Sequence, residues 1–263
     1  MRSILDKFFF LVYHEMQMKV SRKCEGVFWV TIAGLQKLTL LDYPGRVACT
    51  VFLNGCNFCC PFCHNGHLLG NVPAVMDTEE LLSFLNKRKG ILDGVCITGG
   101  EPTIHPELPE LLRKIRMMDY KIKLDTNGYR PDVLRSVVEE GLADYVAMDI
   151  KNSPEQYSQT VGLEHCDMGR IEESIRFLME ERVEYEFRTT VVKPFHTEQS
   201  ISAMCQWLRE LGEEKKIKHL FAQPFVDRET VPVSGLYAPE QTELETFAAL
   251  LRPCAQCVEL RGI

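Results

Sequence analysis

Residues 47–65 read VACTVFLNGCNFCCPFCHN, an apolar run rich in β-branched residues that leads into a loop of cysteines. Three of these thiols, Cys56, Cys60 and Cys63, stand at spacings of four and three residues. A 4Fe-4S cluster usually has four cysteine ligands, so a cluster held by three would leave one iron able to bind a substrate or cofactor. The spacing therefore predicts a 4Fe-4S reaction centre rather than an electron carrier.

Zinc is the alternative metal for this loop. Soft thiolates select iron–sulfur clusters, zinc or copper(I), and Cys59 or His64 could supply a fourth zinc ligand. Structural zinc, however, normally has a complete shell of four protein ligands, often from two ligand pairs. The residues favour the iron–sulfur interpretation and leave the zinc interpretation open.

From about residue 46 onward, short apolar runs alternate with helical patterns, which is typical of βα units around a parallel sheet. The predicted strands are 47–53, 94–98, 121–125, 145–150, 185–192 and 218–223. The predicted helices are 78–88, 107–117, 131–141, 169–182, 198–212 and 239–251, several with N-caps such as Asp77 and Thr197. Six repeats without a Gly-x-Gly-x-x-Gly fingerprint predict an α/β fold, a partial (βα)6 TIM-like barrel.

Polar clusters follow four of the predicted strands where each strand ends. They are residues 55–63, 99–102, 125–128 and 149–151. Such clusters are usually turns when they occur alone, but in barrels of this kind the chemistry gathers at the carboxyl ends of the strands. We therefore expect the four clusters to share one rim and to form one site.

The composition is that of a globular chain with one large domain. Its 263 residues are 45% hydrophobic and 25% charged, and we expect a domain over 32–263 preceded by an N-terminal extension over 1–31. The net charge of -7 argues against a nucleic-acid partner. Clustered cysteines suit metal binding in a reducing cytosol, and no apolar run approaches the roughly 18 residues of a membrane span. We expect a cytoplasmic protein.

The motifs resemble those of the radical S-adenosylmethionine superfamily and, within it, the activating enzymes of glycyl radical enzymes. Cys56, Cys60, Phe62 and Cys63 match the motif Cys-x-x-x-Cys-x-aromatic-Cys. Residues 42–45 (DYPG) and 99–102 (GGEP) match two further elements, and the resemblance covers about residues 32–263. It is greatest to the activating proteins of anaerobic ribonucleoside-triphosphate reductase, a finer match carried by residues 32–37 and 260–263.

This resemblance implies an oxidoreductase that cleaves S-adenosylmethionine reductively at the open iron. The resulting 5′-deoxyadenosyl radical would generate a glycyl radical on a partner, most simply an anaerobic ribonucleotide reductase. A flavodoxin- or ferredoxin-like protein would supply the electron. Because the barrel is incomplete, a glycine loop of the partner could enter its open mouth from the side.

The resemblance also implies cofactor-binding residues around the cysteine loop. Gly99 and Gly100 would let the backbone approach the methionyl ammonium group, with Glu101 nearby as a countercharge. Phe62 would lie against the adenine or shield the cluster.

Further cofactor contacts are implied at the ends of the next strands. Asp125 and Asn127 would hold a monovalent cation beside the cofactor carboxylate, and Asp149 would contribute to that cation site or bind the ammonium group. Lys151 would meet the carboxylate or the ribose. Arg188, which is costly to bury without an anionic partner, would face the cofactor.

Two features depart from this pattern. Residues 224–226 read PFV where many activating enzymes have Pro-Tyr-His, so we expect His196 either to replace the missing histidine or to lie in a surface loop. Cys254 and Cys257 form a Cys-x-x-Cys pair that fits a redox pair, a second metal site or a chance surface arrangement.

Two rival functions stay open. One keeps the radical chemistry but acts on a small molecule, as in the related deazaguanine synthases. The other makes the chain a non-catalytic metal-binding module.

Overall fold

A computed structural model describes residues 30–70, 72–213 and 215–262 of the chain. The expected N-terminal extension therefore lies, up to residue 29, outside the described residues. The strands are β1 (Ile32–Thr39), β2 (Ala48–Leu53), β3 (Gly94–Gly99), β4 (Lys121–Thr126), β5 (Tyr145–Asp149), β6 (Glu184–Val191), β7 (Ile217–Pro224) and β8 (Ala255–Leu260). The helices are α1 (Thr78–Lys87), α2 (Leu108–Arg116), α3 (Pro131–Glu139), α4 (Pro154–Val161), α5 (Met168–Met179), α6 (Glu198–Leu211) and α7 (Gln241–Leu251).

The strands form one sheet in the order β1 to β8. β1 pairs with β2 in the antiparallel direction, and every later neighbouring pair is parallel. Strands β2 to β7 are the six predicted strands, with helices between them, so the predicted α/β fold of partial TIM-like barrel type is confirmed. Because the order runs linearly from β1 to β8 in the part of the chain that the structure describes, the barrel is open between those two strands.

Side-chain alternation gives the sheet two different faces. On β6, Tyr185 and Phe187 belong to the buried apolar core, whereas Glu186 and Arg188 make ion pairs with other charged side chains. Since successive side chains of a strand point to opposite faces, the charged side chains of β6 lie on the inner face of the barrel.

The predicted helix starts at Asp77 and Thr197 are both capping boxes. The Asp77 carboxylate accepts a hydrogen bond from Glu80 N at 2.8 Å, and the Glu80 carboxylate accepts one from Asp77 N at 2.9 Å. Thr197 and Ser200 exchange the same pair of bonds at the start of α6. These caps satisfy backbone donors that have no partner within the helix.

Three of these strands and α-helices were not predicted from the sequence: β1, α4 and β8. The sequence of α4, PEQYSQTV, has a polar face and a proline at its start, and that of β8, AQCVEL, is short with mixed polarity.

Among the described residues, no helix combines the length and the apolar character needed to cross a membrane.

Arg261, just after β8, is joined to the buried Glu186 of β6. Its Nη1 and Nη2 donate to the two carboxylate oxygens of Glu186 at 2.9 Å each, and Tyr145 Oη donates to the same carboxylate at 2.9 Å. The Glu186 side chain is 1% exposed. The pair therefore links the end of the sheet to the interior of the barrel.

We expect Arg261→Gln to lower the free energy of unfolding by about 2 kcal/mol, because it leaves the Glu186 carboxylate buried with one remaining neutral donor. Urea unfolding of the full chain measures this change. Arg113→Gln, which removes an exposed pair with Glu140, should change the same quantity by less than about 1 kcal/mol. Equal effects of the two substitutions would contradict the role assigned to Arg261.

Candidate active site

One cavity lies at the carboxyl ends of β2 to β7. Its wall contains every residue that the sequence analysis assigned to the cluster or to the cofactor: Cys56, Cys60, Phe62, Cys63, Gly99, Gly100, Glu101, Asp125, Asn127, Asp149, Lys151 and Arg188. Residues 90 or more positions apart in the chain thus meet on one rim. The structure brings these residues together, and the cofactor contact expected of each one stays a prediction.

The cysteine loop is anchored at its start and in its middle, and it has one hydrogen bond within itself. Gly55 N donates to Leu68 O at 2.7 Å, Cys59 N donates to Val161 O at 2.9 Å, and Cys63 N donates to Cys60 O at 3.1 Å. The loop therefore holds its thiols on the cavity wall through its backbone.

The three predicted ligands, Cys56, Cys60 and Cys63, present a donor set that suits an iron–sulfur cluster. Burial raises the pKa of Cys60 to about 12 and raises the pKa values of Cys56 and Cys63. Buried thiols are costly to ionise without a nearby cation, whereas a metal centre deprotonates coordinating thiols outright. Three soft donors on one wall, next to an open cavity, fit a cluster that keeps one iron free for a ligand.

Gly99 and Gly100 are needed for packing against the cysteine loop. A Cβ at Gly100 would lie 1.7 Å from Gly55 O, and a Cβ at Gly99 would lie 2.2 Å from Leu53 O. The same backbone segments are joined by hydrogen bonds from Gly100 N to Leu53 O and from Glu101 N to Gly55 O. The packing of the protein itself therefore requires glycine at both positions, in addition to the predicted approach of the backbone to the cofactor.

Glu101 braces two of the rim loops. Its carboxylate accepts hydrogen bonds from the backbone N and the hydroxyl of Thr103, from the hydroxyl of Thr126 and from Asn127 N, at 2.5 to 3.1 Å. Burial raises the pKa of Glu101, and these donors act in the opposite direction. Glu101 therefore has a structural role that the sequence did not indicate, in addition to its predicted role as a countercharge to the cofactor.

Asn127 connects the Glu101 brace to the cysteine loop. Its Nδ2 donates to Asn57 Oδ1 at 2.8 Å, and its Oδ1 accepts a hydrogen bond from Tyr129 N at 3.0 Å. Both ends of the amide are thus engaged by the protein. A role for Asn127 in holding a monovalent cation stays a prediction.

Five charged side chains form a ladder across the inner face of β4, β5 and β6. In order they are Lys123, Asp125, Arg188, Asp149 and Lys151, which we call the charge ladder. Arg188 bridges the two carboxylates, with its Nη1 3.3 Å from Asp125 Oδ2 and its Nε 2.9 Å from Asp149 Oδ1. Lys151 Nζ lies 2.8 Å from Asp149 Oδ2, and Lys123 Nζ contacts Asp125 Oδ1.

The charge ladder carries an excess positive charge. Three cations share two carboxylates, so the ladder itself has a net charge of +1, and its cations Lys151 and Arg188 line the cavity. Burial alone would raise the pKa of Asp149, but Lys151 and Arg188 hold it below its usual range. Because a buried net charge is costly without a counterion, the ladder suits an anionic group of a ligand in the cavity.

His196 was expected either to contact the cofactor or to lie in a surface loop, and the surface alternative is wrong. Its side chain is buried, with Nε2 2.8 Å from Lys151 O and Nδ1 accepting a hydrogen bond from Val192 N at 3.2 Å. The Nε2–H group thus donates to the carbonyl of Lys151. His196 is not among the residues that line the cavity, and it holds the backbone of Lys151 in place.

His64 occupies the region where the Pro-Tyr-His pattern fails. Its ring stacks on Phe225 with centroids 5.7 Å apart, and its Nε2 accepts a hydrogen bond from Val226 N at 3.4 Å. His64 lines the cavity together with Thr190 and Gln223, which the sequence analysis did not select. The sequence singled out His64 only as a possible fourth zinc ligand, from its position directly after the last cysteine of the loop.

Cys254 and Cys257 have different surroundings. Cys254 is buried and its thiol donates to Leu251 O at 3.0 Å, so a surface arrangement is wrong for this residue. Cys257 lies on β8, partly exposed, with its thiol 3.2 Å from Glu259 Oε1.

The partial TIM-like barrel and its cysteine-lined cavity define the class as an iron–sulfur enzyme. Comparison with known proteins identifies the family. The family model described as "Radical SAM superfamily" matches residues 50–208, more than half of the chain. The chain belongs to the radical SAM superfamily. Membership implies a 4Fe-4S cluster and S-adenosylmethionine as cofactors, and the donor set of the cavity fits both.

Two curated relatives agree with this family, and a solved structure agrees with the fold. The chain is 29% identical over 236 residues to the "Putative glycyl-radical enzyme activating enzyme MJ1227" of Methanocaldococcus jannaschii, covering 88% of this chain and 96% of that protein. It is 30% identical over 129 residues to the pyruvate formate-lyase-activating enzyme of Clostridium pasteurianum, covering 46% and 52% of the two chains. The crystal structure of Streptococcus suis SuiB bound to its precursor peptide matches with a TM-score of 0.60 at 13% identity, over 79% of this chain and 47% of that chain, which supports the fold.

We expect Glu101→Gln to lower the free energy of unfolding by about 3 kcal/mol. The substitution removes a charged acceptor and turns an amide NH2 group toward donors that need an acceptor. Urea unfolding of the full chain measures the effect. The matched control is Glu110→Gln, where the side chain is 61% exposed, and its effect should stay within about 0.5 kcal/mol. A Glu101→Gln protein as stable as this control would contradict the bracing role.

We expect His196 to make the chain less stable as the pH falls from about 6.5 toward 4. Burial lowers the pKa of His196 to about 4, whereas an unfolded histidine has a pKa of about 6.5. The unfolded chain therefore binds the proton first, and about 2 kcal/mol of stability should be lost at pH 5 that is present above pH 6.5.

The difference in urea-unfolding free energy between pH 7 and pH 5 measures this contribution. That difference should be smaller by about 2 kcal/mol in His196→Gln than in the unaltered chain. The exposed His165 provides the control, and His165→Gln should keep the full difference. If His196→Gln keeps it too, His196 is not the group responsible.

Proposed function

We propose that this protein is a glycyl-radical-enzyme activase whose partner is an anaerobic ribonucleotide reductase. The observation that carries the activase assignment is the similarity to the Methanocaldococcus jannaschii protein, which extends over 96% of that protein's length. The reductase as the particular partner is supported by the sequence features at residues 32–37 and 260–263, noted above.

Cys56, Cys60 and Cys63 would hold the cluster. When bound, the cluster supplies one electron that cleaves S-adenosylmethionine to methionine and a 5′-deoxyadenosyl radical. A flavodoxin- or ferredoxin-like donor is the proposed source of that electron. The protein's task is to bind and orient the cofactor and to keep other hydrogen donors away.

The charge ladder would bind the carboxylate of the methionyl group. Lys151 is the candidate for the direct contact, because it ends the ladder and lines the same cavity as Cys60. Arg188 would act mainly by holding Asp149 and Asp125 in place, since its guanidinium already bridges both carboxylates. A monovalent cation near Asp125, Asn127 and Asp149 is part of the proposal.

Phe62 and His64 would form the opposite side of the cofactor site. Phe62 packs against Phe195 with ring centroids 5.9 Å apart, which fixes its plane beside the cysteine loop. His64 is fixed by its stacking on Phe225. Both aromatic side chains are thus oriented by contacts within the protein and are available to the adenosine.

The 5′-deoxyadenosyl radical would take a hydrogen atom from a glycine Cα of the partner. The Cα–H bond breaks, the C–H bond of 5′-deoxyadenosine forms, and the unpaired electron stays on the glycine. In the part of the chain that the structure describes, the sheet is open between β1 and β8, and a loop of the partner would reach the cavity through this opening. The partner would close the site and exclude water while the radical exists.

We expect Cys60→Ala to lower the release of 5′-deoxyadenosine by at least about 100-fold, because replacing a ligand should cost more than altering an outer-shell partner. The assay is chromatography after anaerobic reconstitution with iron, sulfide, reductant and S-adenosylmethionine. Cys166→Ala, which removes a buried cysteine outside the cavity, should retain both iron content and cofactor cleavage. Cleavage by Cys60→Ala at the unaltered rate would rule out the three-thiol cluster.

The partner is tested in the same reconstituted system with electron paramagnetic resonance. Addition of S-adenosylmethionine should change the spectrum of the reduced cluster, and further addition of an anaerobic ribonucleotide reductase should produce a glycyl radical signal on that protein. If the cofactor is cleaved but no glycyl radical appears on the reductase, the reductase is not the partner. Turnover of a small molecule such as a deazaguanine precursor would then favour the rival function.

A further inference from the structure

A second group of metal-ligating side chains lies on β7 and β8, outside the cavity. It consists of His219, Cys257 and Glu259, and one potential ligand atom from each lies within 4.8 Å of those from the other two. Cys257 Sγ and Glu259 Oε1 are 3.2 Å apart. None of the three residues lines the cavity.

The register of the sheet brings these residues together. His219 and Cys257 are direct neighbours across the parallel pair of β7 and β8. Glu259 is two residues after Cys257 on the same strand, so the two side chains point to the same face. The three-residue group is thus a consequence of two paired strands rather than of a mobile loop.

Arg261, the next residue on the same face of β8 as Cys257 and Glu259, interacts with other side chains. The Arg261 guanidinium lies over the ring of Phe221, 3.3 Å from its centroid, and pairs with Glu186. It therefore does not form the ion pair with Glu259 that would occupy that carboxylate. His219 and Glu259 are exposed and Cys257 is partly exposed, so a dissolved ion can reach all three.

The donor set of one imidazole nitrogen, one thiolate sulfur and one carboxylate oxygen indicates the class of metal. Calcium and magnesium prefer oxygen donors alone, whereas zinc accepts nitrogen, sulfur and oxygen in a tetrahedral arrangement. Bond lengths of about 2.0 to 2.3 Å around a tetrahedral zinc place its ligand atoms about 3.3 to 3.6 Å apart. The observed separations, with an upper limit of 4.8 Å, reach these values by small side-chain rotations.

We propose that His219, Cys257 and Glu259 bind a zinc ion, with water as the fourth ligand. The ion would join β8, the last strand of the sheet, to β7. His219 precedes the cavity-lining Gln223 by four residues, which at about 3.3 Å per residue is about 13 Å along the strand. The zinc site is therefore separate from the cluster, and its existence does not depend on the proposed function.

This grouping also gives Cys257 a different partner from the one its sequence motif suggested. Cys254 is buried and its thiol donates to Leu251 O, whereas the Cys257 thiol faces Glu259. The Cys-x-x-Cys pair is thus divided between two environments. The zinc ligands come from the strand pairing and not from the motif.

Equilibrium dialysis of the cluster-loaded full chain against zinc chloride, without oxygen, tests the proposal. Zinc and iron are measured in the same sample by elemental mass spectrometry, so that zinc entering the cluster loop is detected as a loss of iron. We expect one zinc per chain with no change in iron. His219→Gln and Cys257→Ser should each weaken zinc binding at least about tenfold, since altering even an outer-shell partner typically costs that much.

Two matched variants serve as controls. His165→Gln removes an exposed histidine and Cys166→Ala removes a cysteine, both outside the group, and both proteins should bind zinc as the unaltered chain does. The proposal is overturned if the unaltered chain takes up no zinc while its iron is retained. It is also overturned if His219→Gln and Cys257→Ser bind zinc as tightly as the two controls.

Discussion

The charge ladder is the interaction on which the rest of the site depends. Lys123, Asp125, Arg188, Asp149 and Lys151 are held at the inner face of three adjacent parallel strands, where Lys123 is buried and the other four are partly exposed. Burying any one of these charges alone would cost several kcal/mol. They are tolerated because each carboxylate lies between two cations, an arrangement that the parallel register of β4, β5 and β6 fixes.

The ladder and the cysteine loop constrain each other electrostatically. Thiolates at Cys60 and Cys63 would add negative charge next to Lys151. The positive charge of Lys151 acts to lower the pKa values of both thiols, against the effect of burial. The excess positive charge of the ladder therefore favours both the ionised form of the cysteines and an anionic ligand. A cluster with a net negative charge and a cofactor carboxylate would both be stabilised by the same partly buried cations.

The sequence predicted the parts of the structure that depend on local pattern. Strands β2 to β7 are recognisable from apolar β-branched runs, and their shared direction places the polar residues at their ends on one rim. The roles of Gly100 and Glu101 within the protein were not predictable, because they arise from contacts with Gly55 and Asn127 across the site. The surface alternative for His196 was wrong for a similar reason: its ring is buried and bonds to the backbone of Val192 and Lys151, which no nearby sequence pattern indicates.

Charged side chains on the inner face differ in burial according to their distance from the open edge of the barrel. Glu186 on β6 is buried, and it is stabilised by hydrogen bonds from Arg261 and Tyr145. Two strands away, Glu259 is exposed, and water can solvate its carboxylate at little cost. A closed barrel would bury Glu259 and the neighbouring His219, and a buried Glu259 carboxylate would then need a cationic partner as Glu186 does. Because β8 is the edge strand of the described sheet, both side chains are exposed and accessible to an ion from solution.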